Sequence, residues 1–165
     1  MTNVNDHELD RLREIGLFGG LAQEVLQGFV GALSINRMAP GTVLFKEGET
    51  GREMFVLLGG EVEVTRHSRR GRETRVALLG PGDWFGEMSI LDVLPRSATT
   101  RVVAPAELLR LTAQDLDSLY RRDLRSYCLL VLNVAREISR RLRVADSLVA
   151  ELVTNVNDEY LQRKE

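Results

Sequence analysis

The residues best suited to chemistry lie in one short stretch, FGEMSILDVLPRSATT, from Phe85 to Thr100. It places a carboxylate, Glu87, and the single cation of the stretch, Arg96, around a short apolar run, and small residues follow the arginine. Small side chains leave the neighbouring backbone NH groups accessible. This pattern predicts a site for a small, polar, anionic ligand.

The glycine and the residues after it can form the first half of this site. Gly86 permits an unusual backbone turn, and residues 87–91 can form one helical turn. The free NH groups of that turn, including those of Met88 and Ser89, and its dipole would face an anion. The simpler alternative for Glu87 and Arg96 is an internal salt bridge within a turn. The two residues alone leave both interpretations open.

The arginine and the residues after it can form the second half. A guanidinium bonds a phosphate through two donors, and Ser97 and Ala98 are small enough for backbone NH groups to approach the same oxygens. Loss of Arg96 is therefore expected to weaken phosphate binding roughly 30-fold to several thousand-fold. The thermal stability of the free protein is expected to stay nearly unchanged.

The elements that must position these residues follow from the apolar and turn patterns. Two short N-terminal helices, broken near Gly19-Gly20, precede a region from Ala32 to Leu111 with turn signals about every 8–12 residues, as in a sandwich or barrel. Residues 61–65 alternate and can pair with residues 75–79, which predicts a hairpin with an arginine-rich tip. Strands at 99–103 and 107–111 close this β-unit.

After Leu111 the pattern is helical. Thr112 and Asp115 fit a capping box, and Asp123 can cap a long helix that begins at Leu124. An apolar stripe follows this helix in steps of three and four: Val131, Val134, Ile138, Leu142, Ala145, Val149, Leu152 and Val156. The stripe spans about 38 Å, more than a small barrel covers, which predicts a parallel homodimer through the helix. Cys128 lies among apolar residues and is expected to be a buried hydrophobe.

Composition narrows the functional classes. The chain has 165 residues and a net charge of −2, so it lacks a global basic field for coating nucleic acid or anionic membranes. No apolar run approaches the ~18 residues of a membrane span, and the charged N-terminus is unlike a signal peptide, so a cytoplasmic location is expected. No catalytic triad or carboxylate pair is evident, and two histidines are too few for a metal-dependent β-roll enzyme. We expect no enzyme activity, cofactor or metal.

Three blocks in order carry a family resemblance: PGTVLFKEGE, MFVLLGGEVEV and PGDWFGEMSILDVLPRSATTRV. From Leu12 to about Leu152 the chain resembles cyclic nucleotide-binding domains, such as those of the catabolite activator and of the regulatory subunits of cAMP-dependent kinase. The third block is similar to the phosphate-binding cassette of that family. The resemblance implies that Glu87 accepts a hydrogen bond from the ribose 2′-hydroxyl and that Arg96 pairs with the cyclic phosphate.

The identity of the base is less constrained by the resemblance. In the family the long helix covers the nucleotide, and here it offers Ala145, Asp146 and Ser147 where the catabolite activator carries hydroxyl residues that reach adenine. Asp146 can accept from adenine N6 or from guanine N1 and N2. Ser97 stands where cGMP-selective members often carry threonine. We therefore expect cAMP rather than cGMP, with Asp146 at the base.

The sequence thus predicts an α+β fold: an antiparallel jelly-roll-like β-barrel with N-terminal helices and a long C-terminal helix. Residues 1–152 are assigned to the cyclic nucleotide-binding domain and residues 153–165 to a short tail. The predicted ligand-binding residues are Gly86, Glu87, Met88, Ser89, Arg96, Ser97, Ala98 and Asp146.

The predicted function is a cyclic nucleotide sensor that transmits binding through its C-terminal helix to a downstream protein of unknown identity. Family transcription factors continue into a DNA-binding module, whereas only TNVNDEYLQRKE remains here, so no specific DNA binding is expected. No membrane binding is expected either. The alternative is an orphan member of the fold that acts as a ligand-free protein-interaction module.

Overall fold

An antiparallel β-roll lies between two sets of helices in the computed structural model, which describes residues 6–162 and the side chains of residues 9–155. The helices are α1 (Asp6–Glu14), α2 (Gln23–Val30), α3 (Met88–Leu91), α4 (Ala113–Arg122) and α5 (Leu124–Gln162), with a 3-10 turn at Gly16–Phe18. This order confirms the predicted fold class and the two N-terminal helices. The break between them includes the 3-10 turn as well as the predicted glycine pair.

The strands of the roll pair only in antiparallel fashion within the described residues. They are β1 (Ser34–Met38), β2 (Val43–Phe45), β3 (Glu53–His67), β4 (Glu73–Leu79), β5 (Trp84–Phe85) and β6 (Thr99–Thr112). Strand β6 pairs with β1, β2 and β3, and β3 also pairs with β4 and β5. The predicted hairpin is confirmed, with Val62 opposite Leu79.

Strand β6 corrects one prediction, because it is continuous where two strands were expected. Pro105 lacks an NH donor, and the pairing of β6 with β3 shifts register between Gly59 and Val62. Gly60 lies at φ +86°, and a Cβ there would be 2.2 Å from the Pro105 carbonyl oxygen. From Glu107 to Ala104 strand β6 advances three residues opposite the two from Gly59 to Glu61, so the proline lies in a bulge of β6 itself, and β6 does not end there.

Two apolar clusters fix the roll and its helices. One packs α1, α2, α4 and the first part of α5 against the sheet, with Leu26, Met54 and Leu130 almost fully buried. The other fills the roll with Phe45, Phe55 and Phe85, whose ring centroids lie 5.6–6.4 Å apart. Each aromatic pair contributes about 0.5–1.5 kcal/mol beyond its buried area. The site is therefore built on a packed support.

Helix α5 packs on the core only along its first part. Thr112 and Asp115 form the predicted capping box, and Asp123 accepts hydrogen bonds from the backbone NH groups of Arg125 and Ser126. Val134 is buried, whereas Leu142 is 59% exposed. The helix runs without a break through the predicted domain boundary after residue 152.

Cys128 is a second correction, because its side chain is exposed. Leu130 is buried, and residues two positions apart on a helix point about 200° apart. Apolar neighbours in sequence therefore do not imply burial for this cysteine.

Candidate functional site

A cavity of about 440 Å³ opens between the roll, α5 and the segment that begins at Gly86 and ends at Ala98, called here the cassette. The predicted residues that line this cavity are Gly86, Glu87, Met88, Ser89, Arg96, Ser97 and Ala98. The structure therefore brings together all of the predicted site residues except Asp146.

Arg96 is held at one end of the cavity by protein contacts. Its side chain is almost fully buried, and Nη1 donates to the carbonyl oxygens of Glu53 at 2.7 Å and Gly86 at 3.1 Å and to Ser89 Oγ at 2.8 Å. The guanidinium carbon lies 3.9 Å from the centroid of the Phe45 ring. Nε is buried and has no hydrogen-bond partner among residues 9–155. Nη2 lies 3.9 Å from Glu53 Oε1, so Nε is the buried donor, without a partner among these residues, that an anion can use, and burial lowers the pKa of Arg96.

Two glycines make room for this guanidinium. A Cβ at Gly51 would lie 2.4 Å from Arg96 Nε, and one at Gly86 would lie 2.9 Å from Nη1. Gly86 also lies at φ +85°, as its predicted unusual turn requires. Sequence reasoning found Gly86 but missed Gly51 and Glu53, although the block PGTVLFKEGE ends just before them.

The contacts of Arg96 overturn the expectation that its loss leaves stability unchanged. Without the side chain, the carbonyl oxygen of Glu53 loses the Arg96 donor and that of Gly86 keeps only the Ser89 hydroxyl, beside a new cavity. An unsatisfied buried polar group costs about 1–3 kcal/mol. Arg96 therefore supports the fold of the cassette as well as offering a donor to a ligand.

Glu87 makes no direct bond to Arg96 among the described residues. Its side chain is buried, Oε1 accepts from Arg141 Nη1 at 3.3 Å, and Oε2 has no partner among the described side chains. Burial raises the pKa of this carboxyl, and the nearby Arg141 guanidinium partly opposes the shift. An internal Glu87–Arg96 salt bridge, the simpler alternative, is not what the described residues form. Glu87 instead lines the cavity with one carboxylate oxygen left without a partner among the described side chains.

Arg141 ties α5 to the cassette. Besides Glu87, it donates through Nη2 to the carbonyl oxygen of Trp84 at 2.7 Å and through Nε to Glu137 at 2.8 Å. Glu137 also accepts two hydrogen bonds from Arg140, which are the main reason that its pKa is lowered. The i,i+4 pair of Glu137 and Arg141 is readable from the sequence. The reach of Arg141 to Glu87 depends on tertiary structure, and sequence reasoning missed it.

The other cassette residues have distinct surroundings. The Ser89 hydroxyl donates to the Gly86 carbonyl oxygen at 3.2 Å and accepts from Arg96, so it positions the arginine. Met88 is 47% exposed at the rim, 3.7 Å from the Ser97 hydroxyl. Ala98 is buried. Among the described residues, no backbone carbonyl accepts from the NH groups of Ser97 or Ala98.

Asp146 corrects the predicted site. It is exposed and does not line the cavity, whereas Arg141, Val144, Ala145 and Leu148 of the same helix do. At about 100° per residue, Asp146 lies roughly 150° around α5 from the centre of that face. The helix does cover the cavity as expected, but with a different face.

The end of the cavity away from Arg96 is apolar. Val64 and Val76 of the roll and Val144 and Leu148 of α5 line it. Thr100 lies on the floor between the two ends, buried, with a hydroxyl that has no hydrogen-bond partner among residues 9–155. Sequence reasoning included this threonine only among the small residues that follow Arg96.

Comparison with known protein families identifies the family of this chain. Residues 35–123 match the sequence model of the family described as cyclic nucleotide-binding domain. The chain belongs to this family. The match includes the whole cassette and the strands that support it.

Similar proteins agree with this assignment. The cyclic AMP receptor protein of Thermus thermophilus is 38% identical over 130 residues, covering 79% of this chain and 58% of the relative. A CRP-like cAMP-activated global transcriptional regulator of Mycobacterium tuberculosis is 28% identical over 142 residues, covering 86% of this chain and 62% of the relative. The chain thus spans about 60% of the length of these relatives.

Solved structures give the same picture. The crystal structure of the Thermus thermophilus catabolite activator protein matches with a TM-score of 0.73 and 36% identity, covering 83% of this chain and 62% of that one.

The described residues contain neither a membrane-spanning helix nor a metal-binding cluster. None of their helices is both long and apolar enough to cross a membrane. Within the same part of the chain, no three His, Cys, Asp or Glu residues are grouped so as to hold a metal ion. The cytoplasmic location and the absence of specific DNA binding stay predictions.

Proposed function

We propose that this protein is a regulatory sensor that binds a cyclic mononucleotide between Glu87 and Arg96. The observation that carries this function is a pair of buried atoms without partners among the described residues, the acceptor Glu87 Oε2 and the donor Arg96 Nε, which belong to residues lining one cavity. A ribose hydroxyl can donate to the first, and a cyclic phosphate can accept from the second. Leaving buried polar atoms without hydrogen bonds costs free energy, so binding of a ligand that bonds both atoms is favoured.

Within this function, cAMP is the preferred nucleotide. The relatives named for cAMP support this choice, as does Ser97 in place of the threonine of many cGMP-selective members. The apolar lining formed by Val64, Val76 and Leu148 also favours the base with fewer NH donors, because guanine would bury more of them without acceptors.

Helix α5 is the element that transmits binding. Its inner face contributes Arg141 and Leu148 to the cavity, and its first part packs on the core. A ligand shifts the equilibrium between two positions of a helix only by the difference in its affinity for them. A ribose hydroxyl that bonds Oε2 of the carboxylate whose Oε1 accepts from Arg141 alters the contact that fixes α5 to the cassette, and so provides this differential binding.

The outer face of α5 fits a second copy of the chain. Exposed residues follow it in a strict alternation of four and three steps: Cys128, Leu132, Ala135, Ser139, Leu142, Asp146, Val149 and Val153. This 3.5-residue period is the seam of a coiled coil. The stripe expected from the sequence differs, because Val134 is buried in the core and Ile138 packs against it. We therefore assign the homodimer to the outer seam.

Sedimentation measurements test the dimer. Leu142→Asp removes an apolar seam contact and adds a second carboxylate one turn from Asp146, and should give a monomer because the like charges repel, whereas Ser147→Asp, on an exposed position outside the seam, should leave the dimer intact. Ile138→Asp is a poor probe because it would also disturb the core. A wild-type protein that stays monomeric at high micromolar concentration, with and without nucleotide, would contradict the assignment.

A calorimetric titration with cAMP, cGMP and 5′-AMP tests the function itself. We expect saturable binding of cAMP, weaker binding of cGMP and little binding of the open monophosphate. The alternative, a ligand-free interaction module, is favoured by one observation: Arg141 already pairs with one oxygen of Glu87. The absence of binding by either cyclic nucleotide would support that alternative and contradict the sensor.

A further inference from the structure

Thr100 is a buried polar residue that the proposed contacts of the ligand leave without a role. It is 1% exposed, it lines the cavity, and its hydroxyl has no hydrogen-bond partner among the described side chains and backbone. Buried hydroxyls are almost always hydrogen-bonded in folded proteins. The neighbouring Thr99 follows this rule, since its hydroxyl accepts from the Glu47 NH at 3.0 Å.

The register of the strands locates Thr100 within the cavity. Phe45 on β2 and Val64 on β3 lie opposite it, and Ala77 on β4 lies opposite Val64. These four residues form a row across the cavity floor, with adjacent strands about 4.8 Å apart. The Arg96 guanidinium stacks on Phe45 at the start of the row, and the apolar wall is at the other end. Thr100 therefore lies one strand away from the phosphate end.

We propose that Thr100 is a third polar contact to the nucleotide and that its hydroxyl bonds the ligand where sugar and base join. This inference rests on the proposed function. The ribose of a cyclic nucleotide separates the phosphate from the base, and Thr100 lies between the regions that receive those two groups. The contact is common to purine nucleotides, so it contributes affinity for cAMP and cGMP alike, in contrast to a residue that reads the far edge of the base.

Isosteric substitution tests the inference by calorimetry with cAMP and cGMP. Thr100→Val removes the hydroxyl and keeps the shape, and should weaken both nucleotides by a similar factor, about 2- to 10-fold. Thr100→Ser keeps the hydroxyl and should retain most of the affinity. The melting temperature of the free Thr100→Val protein should be unchanged or higher, because no intramolecular hydrogen bond is lost.

Thr99→Val is the matched control. It removes the bond to the Glu47 NH, so it should lower the melting temperature and leave nucleotide affinity within about twofold. If Thr100→Val does not fold, Thr100→Ser against Thr100→Ala makes the same comparison of hydroxyl retained with hydroxyl removed.

Three results would overturn the inference in distinguishable ways. Equal affinity of the wild type and the variant without the hydroxyl means that Thr100 does not contact the ligand. A loss confined to one nucleotide means that it reads the edge of the base. A wild-type protein that binds neither nucleotide removes the proposed function, and this contact with it.

Discussion

The two ends of the cavity are built in opposite ways. At the phosphate end, Glu87 and Arg96 are each 4% exposed; Arg96 donates to the carbonyl oxygens of Glu53 and Gly86, and Glu87 accepts from Arg141 of α5. At the base end, Val76 is 55% exposed, and Val144 and Leu148 are each 56% exposed. One end is preorganised, and the other is assembled from a hairpin and a helix that a ligand can help to cover.

This difference separates affinity from response. Fixed groups at the phosphate end need little reorganisation, so contacts there contribute most of the binding free energy. The base end gains buried apolar surface only when α5, the hairpin and the base meet, so this end couples the ligand to the position of α5. Variants at the two ends should therefore differ in kind as well as in size.

Loss of Arg96 should have the largest effect on binding. Arg96→Ala removes a buried charged donor and should weaken cAMP binding roughly 30-fold to several thousand-fold, with a lower melting temperature. The control is Arg101→Ala, which removes a half-exposed arginine paired with Glu63 and should leave affinity unchanged. Calorimetry and thermal unfolding measure both. Tight binding by Arg96→Ala would place the phosphate elsewhere.

Replacement of Glu87 should have the next largest effect. Glu87→Gln loses a charged acceptor and should weaken cAMP binding about 10- to 100-fold, because a hydrogen bond to a charged group contributes about 1.5–3 kcal/mol. The wild type should lose a similar factor with 2′-deoxy-cAMP, which lacks the donor. Binding of 2′-deoxy-cAMP to the Glu87→Gln protein should be only slightly weaker than when the protein or the ligand alone is changed. Additive losses would mean that Glu87 does not contact the 2′-hydroxyl.

Gly51 tests whether preorganisation of Arg96 matters. In Gly51→Ala the new Cβ must displace Arg96 Nε, and such overpacking costs about 1–3 kcal/mol, so affinity for cAMP should fall roughly tenfold. Gly59→Ala adds a Cβ with no atom within 4 Å and should bind normally. Equal affinities of these two variants would show that the site tolerates a displaced guanidinium.

Acid pH should weaken binding through Glu87. Burial raises the pKa of this carboxyl despite the adjacent Arg141, while the neighbouring Glu137 has a lowered pKa and the phosphate keeps its charge. The ribose hydroxyl needs an ionised acceptor, so affinity should fall as the pH drops through the raised pKa, by at most about tenfold per pH unit. Glu87→Gln should lack this dependence. The same slope in both proteins would assign the titration to another group.

Truncation at the base end should have the smallest effect. Leu148→Ala removes part of a half-exposed apolar wall without disturbing helix propensity, so cAMP affinity should fall only about 2- to 5-fold. Ser147→Ala is the control on the adjacent face. A loss as large as that of Arg96→Ala would show that the base end, and not the phosphate end, dominates affinity.

The sequence was most informative where function depends on neighbouring residues. The cassette is nearly contiguous, and its glycine turn, small residues and single cation are all visible in one stretch. The capping box and the hairpin are local for the same reason. Arg141 and Thr100 reach the cavity from other elements, and Glu53 reaches Arg96 from β3. Nothing local to these residues indicates which side chain is left without a partner.

The wrong prediction for Asp146 shows how hard it is to predict from sequence which face of a long helix lines a cavity. A shift of one residue rotates a side chain by about 100°, so a small error in phase exchanges the cavity face for the outer face. The apolar residues of α5 support two stripes, one through Val134 and Ile138 and another through Leu142 and Val149. Only packing on the roll shows that the first stripe meets the core and the second faces outwards.

The most direct test of the central claim is a crystal structure of the protein grown with cAMP. We predict the cyclic phosphate within hydrogen-bond distance of Arg96 Nε and of the Ser97 and Ala98 NH groups, and the 2′-hydroxyl at Glu87 Oε2. The base should contact the apolar wall that includes Val144. A nucleotide bound outside this cavity, or one whose phosphate has no contact with Arg96, would contradict the account.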